Sequence, residues 1–232
     1  MKTIGLIGGM SWESSAEYYR IMNQTVQERL GGLHSAQCML YSFDFQEIEQ
    51  LQHRGAWEKL TELMIRAAQS LEGAGAELLI ICANTMHKMA EEVQSSVRIP
   101  LVHIADTTAK AIIERGLDKV ALLGTRFTME EDFYKERLQE KHKLEIIIPS
   151  ERDREVIDKV IYTELCRGIM QQSSKEQFKA IIEKLASNRA QGVILGCTEI
   201  PLLISQQDAE IPLFDTTKIH ARAAVEIALQ QH

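Results

Sequence analysis

The sequence predicts an α/β protein made of two pseudo-symmetric halves related by duplication, each a doubly wound parallel sheet, with the active site in the cleft between them. Three observations carry that prediction. Short apolar, β-branched runs alternate with stretches of helical periodicity along the chain, the pattern of parallel strands joined by crossover helices. The run from Leu78 to Cys82 is continuously apolar rather than alternating, which fits a strand buried on both faces. The chain also repeats itself: Gly5-Leu6-Ile7-Gly8-Gly9 resembles Ala121-Leu122-Leu123-Gly124-Thr125 at an offset of 116 residues, Ala76 to Thr85 resembles Ala190 to Glu199 at 114, and Ile99-Pro100-Leu101 recurs as Ile211-Pro212-Leu213 at 112. Each copy of the last motif is followed by Asp-Thr-Thr, at Asp106 and Asp215.

Taken in order, a strand over Thr3 to Ile7 leads through a glycine turn into a helix that begins near Ser11, and a second strand spans Ala36 to Phe43. A helix follows from about Ala56 to Gly73, where Trp57, Leu60, Met64, Ala67 and Leu71 recur every three or four residues and Gly73 and Gly75 supply the stop. The strand from Leu78 to Cys82 comes next, and a final helix covers about Thr217 to Leu229. The predicted halves are residues 1–100 and 101–214, with 215–232 packing back on the first. Tyr18, Tyr19 and Tyr134 fall on helix faces and are expected in the core. Because open parallel sheets offer the carboxyl ends of their strands to ligands, the duplication predicts a cleft where the two sets of strand ends face each other.

Composition narrows the guest. The net charge is -7 and the Lys and Arg residues are scattered, so no basic footprint for nucleic acid or an anionic membrane exists and a small solute is the expected partner. The amino-terminal apolar run is too short for a signal peptide and no stretch approaches bilayer length, which predicts a cytosolic protein. Four dispersed cysteines and seven dispersed histidines form no CxxC or HExxH spacing, and neither a metal nor a disulfide framework is expected.

The chemistry concentrates in four short motifs. Gly196-Cys197-Thr198-Glu199-Ile200-Pro201 places a thiol just after a buried strand, with a proline suited to the first turn of a helix. A cysteine at a helix amino terminus is expected as thiolate, a base for hydrogen on carbon; an ordinary buried small side chain is the competing reading. The matching loop is Cys82-Ala83-Asn84-Thr85-Met86-His87, and the repeat sets Ala83, not Cys82, against Cys197. Cys82 is expected to point into the core, because side chains alternate along a strand. Asn84, Thr85 and Thr198 offer hydrogen bonds to a carboxylate or developing enolate, or else cap helices. Gly8-Gly9-Met10-Ser11 and its counterpart Gly124-Thr125-Arg126-Phe127-Thr128 are turns whose amides suit a carboxylate rather than a nucleotide. Gln52 or Arg54 could grip a carboxylate, and Glu199 and His87 stand as supporting groups behind the ligand contacts.

These motifs together, an amino-terminal Gly-Gly-Met turn, Asn84-Thr85 with His87 two residues on, a Leu-Gly-Thr turn and Gly-Cys-Thr-Glu, resemble the aspartate/glutamate racemase family over essentially the whole chain. Asp44-Phe45-Gln46-Glu47-Ile48-Glu49 and Asn84-Thr85-Met86-His87-Lys88 look like its enterobacterial L-aspartate/glutamate-specific branch. The resemblance implies cofactor-independent chemistry without pyridoxal phosphate, a homodimer, and two acid/base residues on opposite faces of the substrate α-carbon. By motif those positions are Cys197 and Ala83, with Met10, Gln52, Asn84, Thr85, Thr125 and Thr198 as ligand contacts and an acidic amino acid as substrate. Two departures stand out: Ala83 is not itself competent, which leaves two-base turnover open to question, and Glu164-Leu165-Cys166-Arg167-Gly168 replaces a lysine that would grip the substrate. A single-cysteine decarboxylase of the same superfamily and a non-catalytic amino-acid-binding protein remain as alternatives.

Overall fold

The computed structural model describes residues 1–230. Its chain divides into two units, Met1–Ile104 with the returning segment from His220, and Ala105–Ile219. The first crossing falls after residue 100 because the first sheet still holds the chain there: Leu79 donates its N–H to the Pro100 carbonyl and Val102 donates to the Leu79 carbonyl. The return falls after 215 for the same kind of reason. Asp215 pairs with Leu195, and the Thr216 hydroxyl donates to the Leu195 carbonyl at 2.8 Å. Gln231 and His232, the end of the segment expected to return, lie outside the described residues.

In the first unit β1 (Ile4–Gly8), α1 (Trp12–Leu30), β2 (Cys38–Ser42), α2 (Phe45–His53), α3 (Trp57–Gly73), β3 (Leu78–Ile81) and α4 (Ala90–Ser95) follow one another, and α5 (Ile104–Ile113) begins at its boundary. The sheet has the order β2-β1-β3 and is parallel throughout, with Ile7 opposite Ile81. Alternation along the strands sends their side chains to two cores. Ile7, Leu79 and Ile81 pack with Ile48, Leu60, Met64 and Met86. Ile4, Leu6, Leu78 and Ile80 pack on the other face with Tyr18, Met22 and Val26, and with Ala221, Ala224 and Val225 of the returning segment. Helices on both faces make this the doubly wound arrangement, whose strand order reverses at β1 and β3.

The second unit repeats the plan: β4 (Lys119–Gly124), α6 (Arg126–Glu130), α7 (Asp132–Glu136), β5 (Glu145–Ile147), α8 (Glu151–Thr163), α9 (Gln172–Ser187), β6 (Gly192–Gly196), α10 (Ile200–Leu203) and β7 (Leu213–Asp215), with α11 (Thr216–Leu229) leading out of it. Its parallel sheet has the order β5-β4-β6-β7, and Leu123 lies opposite Leu195, the counterparts of Ile7 and Ile81. The two Asp-Thr-Thr copies diverge. Asp215 caps α11 by accepting the Lys218 N–H at 3.0 Å. Asp106 instead receives Arg137 through two nitrogens, Lys141 and His142, each at 2.8 Å. Burial would raise its carboxyl, but those donors outweigh burial and hold it well below the usual carboxylate range. Tyr18 and Tyr134 are fully buried as expected, whereas Tyr19 is 57% exposed, because it follows Tyr18 by one residue and so faces away from the core side of α1. Among the described residues no helix is long and apolar enough to cross a membrane.

Candidate active site

Cys197 leaves the end of β6 with its side chain buried, and Thr198 and Glu199 beside it are buried too. The glycines before it allow close strand ends: a Cβ on Gly196 would fall 2.8 Å from the Leu123 carbonyl oxygen. The Cys197 Sγ donates to Glu199 Oε2 at 2.9 Å, and the Thr198 hydroxyl donates to the same oxygen at 2.8 Å. This geometry corrects the expected thiolate. Burial first, then the Glu199 charge, pushes the Cys197 thiol well above its ordinary value. The helix meant to favour the anion is α10, a single turn that begins only at Ile200, so its dipole is slight. Cys197 therefore rests as a thiol. Thr198 spends its proton on Glu199 and offers a ligand lone pairs rather than a donor. Thr125 caps α6, its hydroxyl receiving the Thr128 N–H at 3.3 Å and meeting the Thr128 hydroxyl at 3.2 Å.

In the first unit the turn after β1 is built around serines. Gly9 has φ +81°, and a Cβ there would collide with the Phe43 backbone, so only glycine fits. The Gly9 N–H donates to Ser15 Oγ at 2.8 Å, Ser11 caps α1 by receiving the Ser14 N–H at 3.3 Å, and Ser14 Oγ donates to the Cys82 carbonyl at 3.0 Å. The last bond ties this turn to the loop after β3. Cys82 is fully buried within the α1-facing core, and burial followed by the nearby Cys38 raises its thiol. Its side chain thus points away from Ala83, which belongs to the other core together with Met10 and Met86. Gln52 is buried, with its amide nitrogen 3.1 Å from Met86 Sδ, while Arg54 is exposed at the end of α2. Asn84 and Thr85 are buried at the start of a 3-10 turn, Thr85–Met89. His87 bonds to backbone, its Nδ1 lying 2.8 Å from the Ala83 carbonyl oxygen. In the second unit, Arg167 is exposed on the turn before Gly168.

Within the first unit the structure therefore places Met10, Ala83 and Met86 in one apolar core and brings Gln52 to Met86, and within the second it joins Cys197, Thr198 and Glu199. Sequence reasoning missed Ser14 and Ser15, although Ser11 and Ser14 at capping spacing hinted at them. It also missed His220, whose ring is bound by Tyr18 at 2.8 Å and by the Val102 carbonyl at 2.7 Å; no local signal marks partners so far apart in the chain. Among the described residues no group of three or more His, Cys, Asp or Glu is arranged to hold a metal ion.

A family model for Asp/Glu/hydantoin racemases matches residues 7–224, from the first strand into the last helix. The chain belongs to the Asp/Glu/hydantoin racemase family. A crystal structure of a candidate Asp/Glu racemase from Yersinia pestis is 54% identical, with a TM-score of 0.92 over 99% of this chain and 100% of that one. An aspartate racemase homologue from Pyrococcus horikoshii OT3 is 39% identical, with a TM-score of 0.86 over 99% and 100%. The broad specificity amino-acid racemase RacX of Bacillus subtilis strain 168 is 24% identical across 97% of this chain and 98% of its own length.

Proposed function

We propose that this member of the racemase family acts at the α-carbon of aspartate or glutamate, with Cys197 as the group that exchanges the α-proton. The observation that carries the reading is the Cys197 Sγ to Glu199 Oε2 bond of 2.9 Å. The thiol donates to the carboxylate, so the pair holds one negative charge that can sit on either partner. Moving the proton from sulfur to Glu199 creates a thiolate without adding net charge to a buried site, which lowers the cost of making the base. That thiolate takes the α-hydrogen as a proton, the electron pair of the C–H bond passes into the substrate carboxylate as an enediolate, and the new S–H can return a proton to the same carbon. By motif, Asn84, Thr85 and Thr125 are the polar side chains proposed to meet the substrate's charged ends, with Met10 and Gln52 as further contacts.

The motif assigns the second face of the α-carbon to residue 83, where a methyl group can neither remove nor deliver a proton. Exchange from one face then outruns inversion. Incubating L- and D-aspartate and L- and D-glutamate in heavy water, with NMR at the α-position, should show deuterium entering one enantiomer faster than its mirror image accumulates. Absence of exchange with all four, from folded protein, overturns the reading. A second reading draws on the same methyl group and on the resting thiol: loss of carbon dioxide from a malonate-type acid would leave the electron pair on carbon, and Cys197 would supply the proton alone. Carbon dioxide release from substituted malonates separates the two.

A further inference from the structure

The loop that carries residue 83 is held by a side chain doing the job of a missing backbone donor. In an α-helix the Ala83 carbonyl would accept the N–H of residue 87. Here the turn is 3-10, and the His87 N–H goes to the Asn84 carbonyl at 3.0 Å instead. The His87 ring fills the vacancy, with Nδ1 at 2.8 Å from the Ala83 oxygen. Its other nitrogen, Nε2, accepts the Ile104 N–H at 3.2 Å. A carbonyl can only accept and an amide N–H can only donate, so the ring is fixed as the neutral tautomer with its proton on Nδ1. The ring is 3% exposed and lies 4.6 Å from the His103 ring and 5.7 Å from the His220 ring. Packing on two sides therefore prevents it from turning away.

We propose that His87 is a positioning residue that sets the Ala83–Thr85 loop by donating Nδ1–H to the Ala83 carbonyl, and so fixes the direction in which Asn84 and Thr85 meet an acidic amino acid. Its use for that ligand rests on the function proposed above; its hold on the loop does not. His87 never touches the reacting carbon. It acts by keeping one peptide group from rotating, and Ile104, the last residue before the chain leaves the first unit, is its fixed support.

Asparagine places an amide N–H close to where Nδ1 sits, and glutamine places its amide where Nε2 sits. The two variants therefore separate the bond to Ala83 from the bond to Ile104. In the unmodified protein, nitrogen NMR of the His87 ring should show a protonated Nδ1 and a bare Nε2; the reverse tautomer overturns the proposal without any variant. In His87→Gln, amide hydrogen exchange over residues 83–87 should rise about tenfold, while His87→Asn should stay within about threefold of wild type, as expected for one net hydrogen bond. Calorimetric affinity for L-aspartate should follow the same order. Equal loop exchange in the two variants overturns the proposal. If the unmodified protein does not bind aspartate, the substrate reading fails, and the ring tautomer and loop exchange still decide the role of His87.

Discussion

Two buried thiols, Cys82 and Cys197, stand one residue apart in the internal repeat, and that single step decides their fates. Alternation along β3 and its exit turns Cys82 into apolar packing, while Cys197 reaches Glu199. Glu199→Gln keeps the shape but cannot take a proton, so α-hydrogen exchange should slow by about a hundredfold or more, read by deuterium incorporation, with Cys197→Ser slower still. Cys82→Ala should leave that rate nearly unchanged and instead cost about 1–2 kcal/mol in urea unfolding, the order expected for truncating a small buried side chain. Introducing an ionisable or hydroxyl group by Ala83→Cys or Ala83→Thr should raise inversion relative to exchange, measured by chiral chromatography. Unchanged inversion in both variants would remove Ala83 as the reason for one-sided chemistry.

At the scale of elements, each strand end depends on the turn that follows it. The first such turn places Gly9 in the left-handed region against the Phe43 backbone, and the Ser11, Ser14 and Ser15 hydroxyls tie it to α1 and to the Cys82 carbonyl. Gly9→Ala should therefore destabilise by more than about 2 kcal/mol, combining backbone strain with a steric clash. Gly55 also has a positive φ but open space around it, so Gly55→Ala should cost less; urea midpoints compare the two. The glycine turn and the helix start near Ser11 were legible in the sequence because they act within one turn of chain. The length of α10 was not. Pro201 announced a helix, but only the structure showed that it stops at Leu203, too short to stabilise a thiolate by its dipole.

At the scale of the whole molecule, the returning segment is pinned through His220, which is fully buried between Tyr18 and the Val102 carbonyl. Burial lowers its pKa to about 4, against the smaller opposing effect of the Val102 bond. The unfolded chain takes up this proton near its ordinary value of about 6.5 while the folded chain refuses it. Stability from this group is therefore complete above about pH 6.5 and falls by about 3 kcal/mol as the pH drops to 4. Urea unfolding at pH 8 and pH 5 should show the loss, and His220→Gln should shrink the difference between those two pH values by about 2 kcal/mol. An unchanged difference would mean that His220 is not the group responsible.

The sequence by itself determined the duplicated α/β plan, the glycine turns, the placement of Cys197 after a strand, and the family. These features are local patterns or a repeat of such patterns, and strand and helix periods write them into neighbouring residues. Tertiary structure decided the rest. That Cys197 rests as a thiol follows from burial and from the direction of the Glu199 carboxylate. That His87 holds the Ala83 carbonyl follows from a 3-10 turn that local propensity does not distinguish from an α-turn. The His220 contacts join residues 202 and 118 positions apart, and no pattern along the chain encodes a hydrogen bond between partners that only the folded chain brings together.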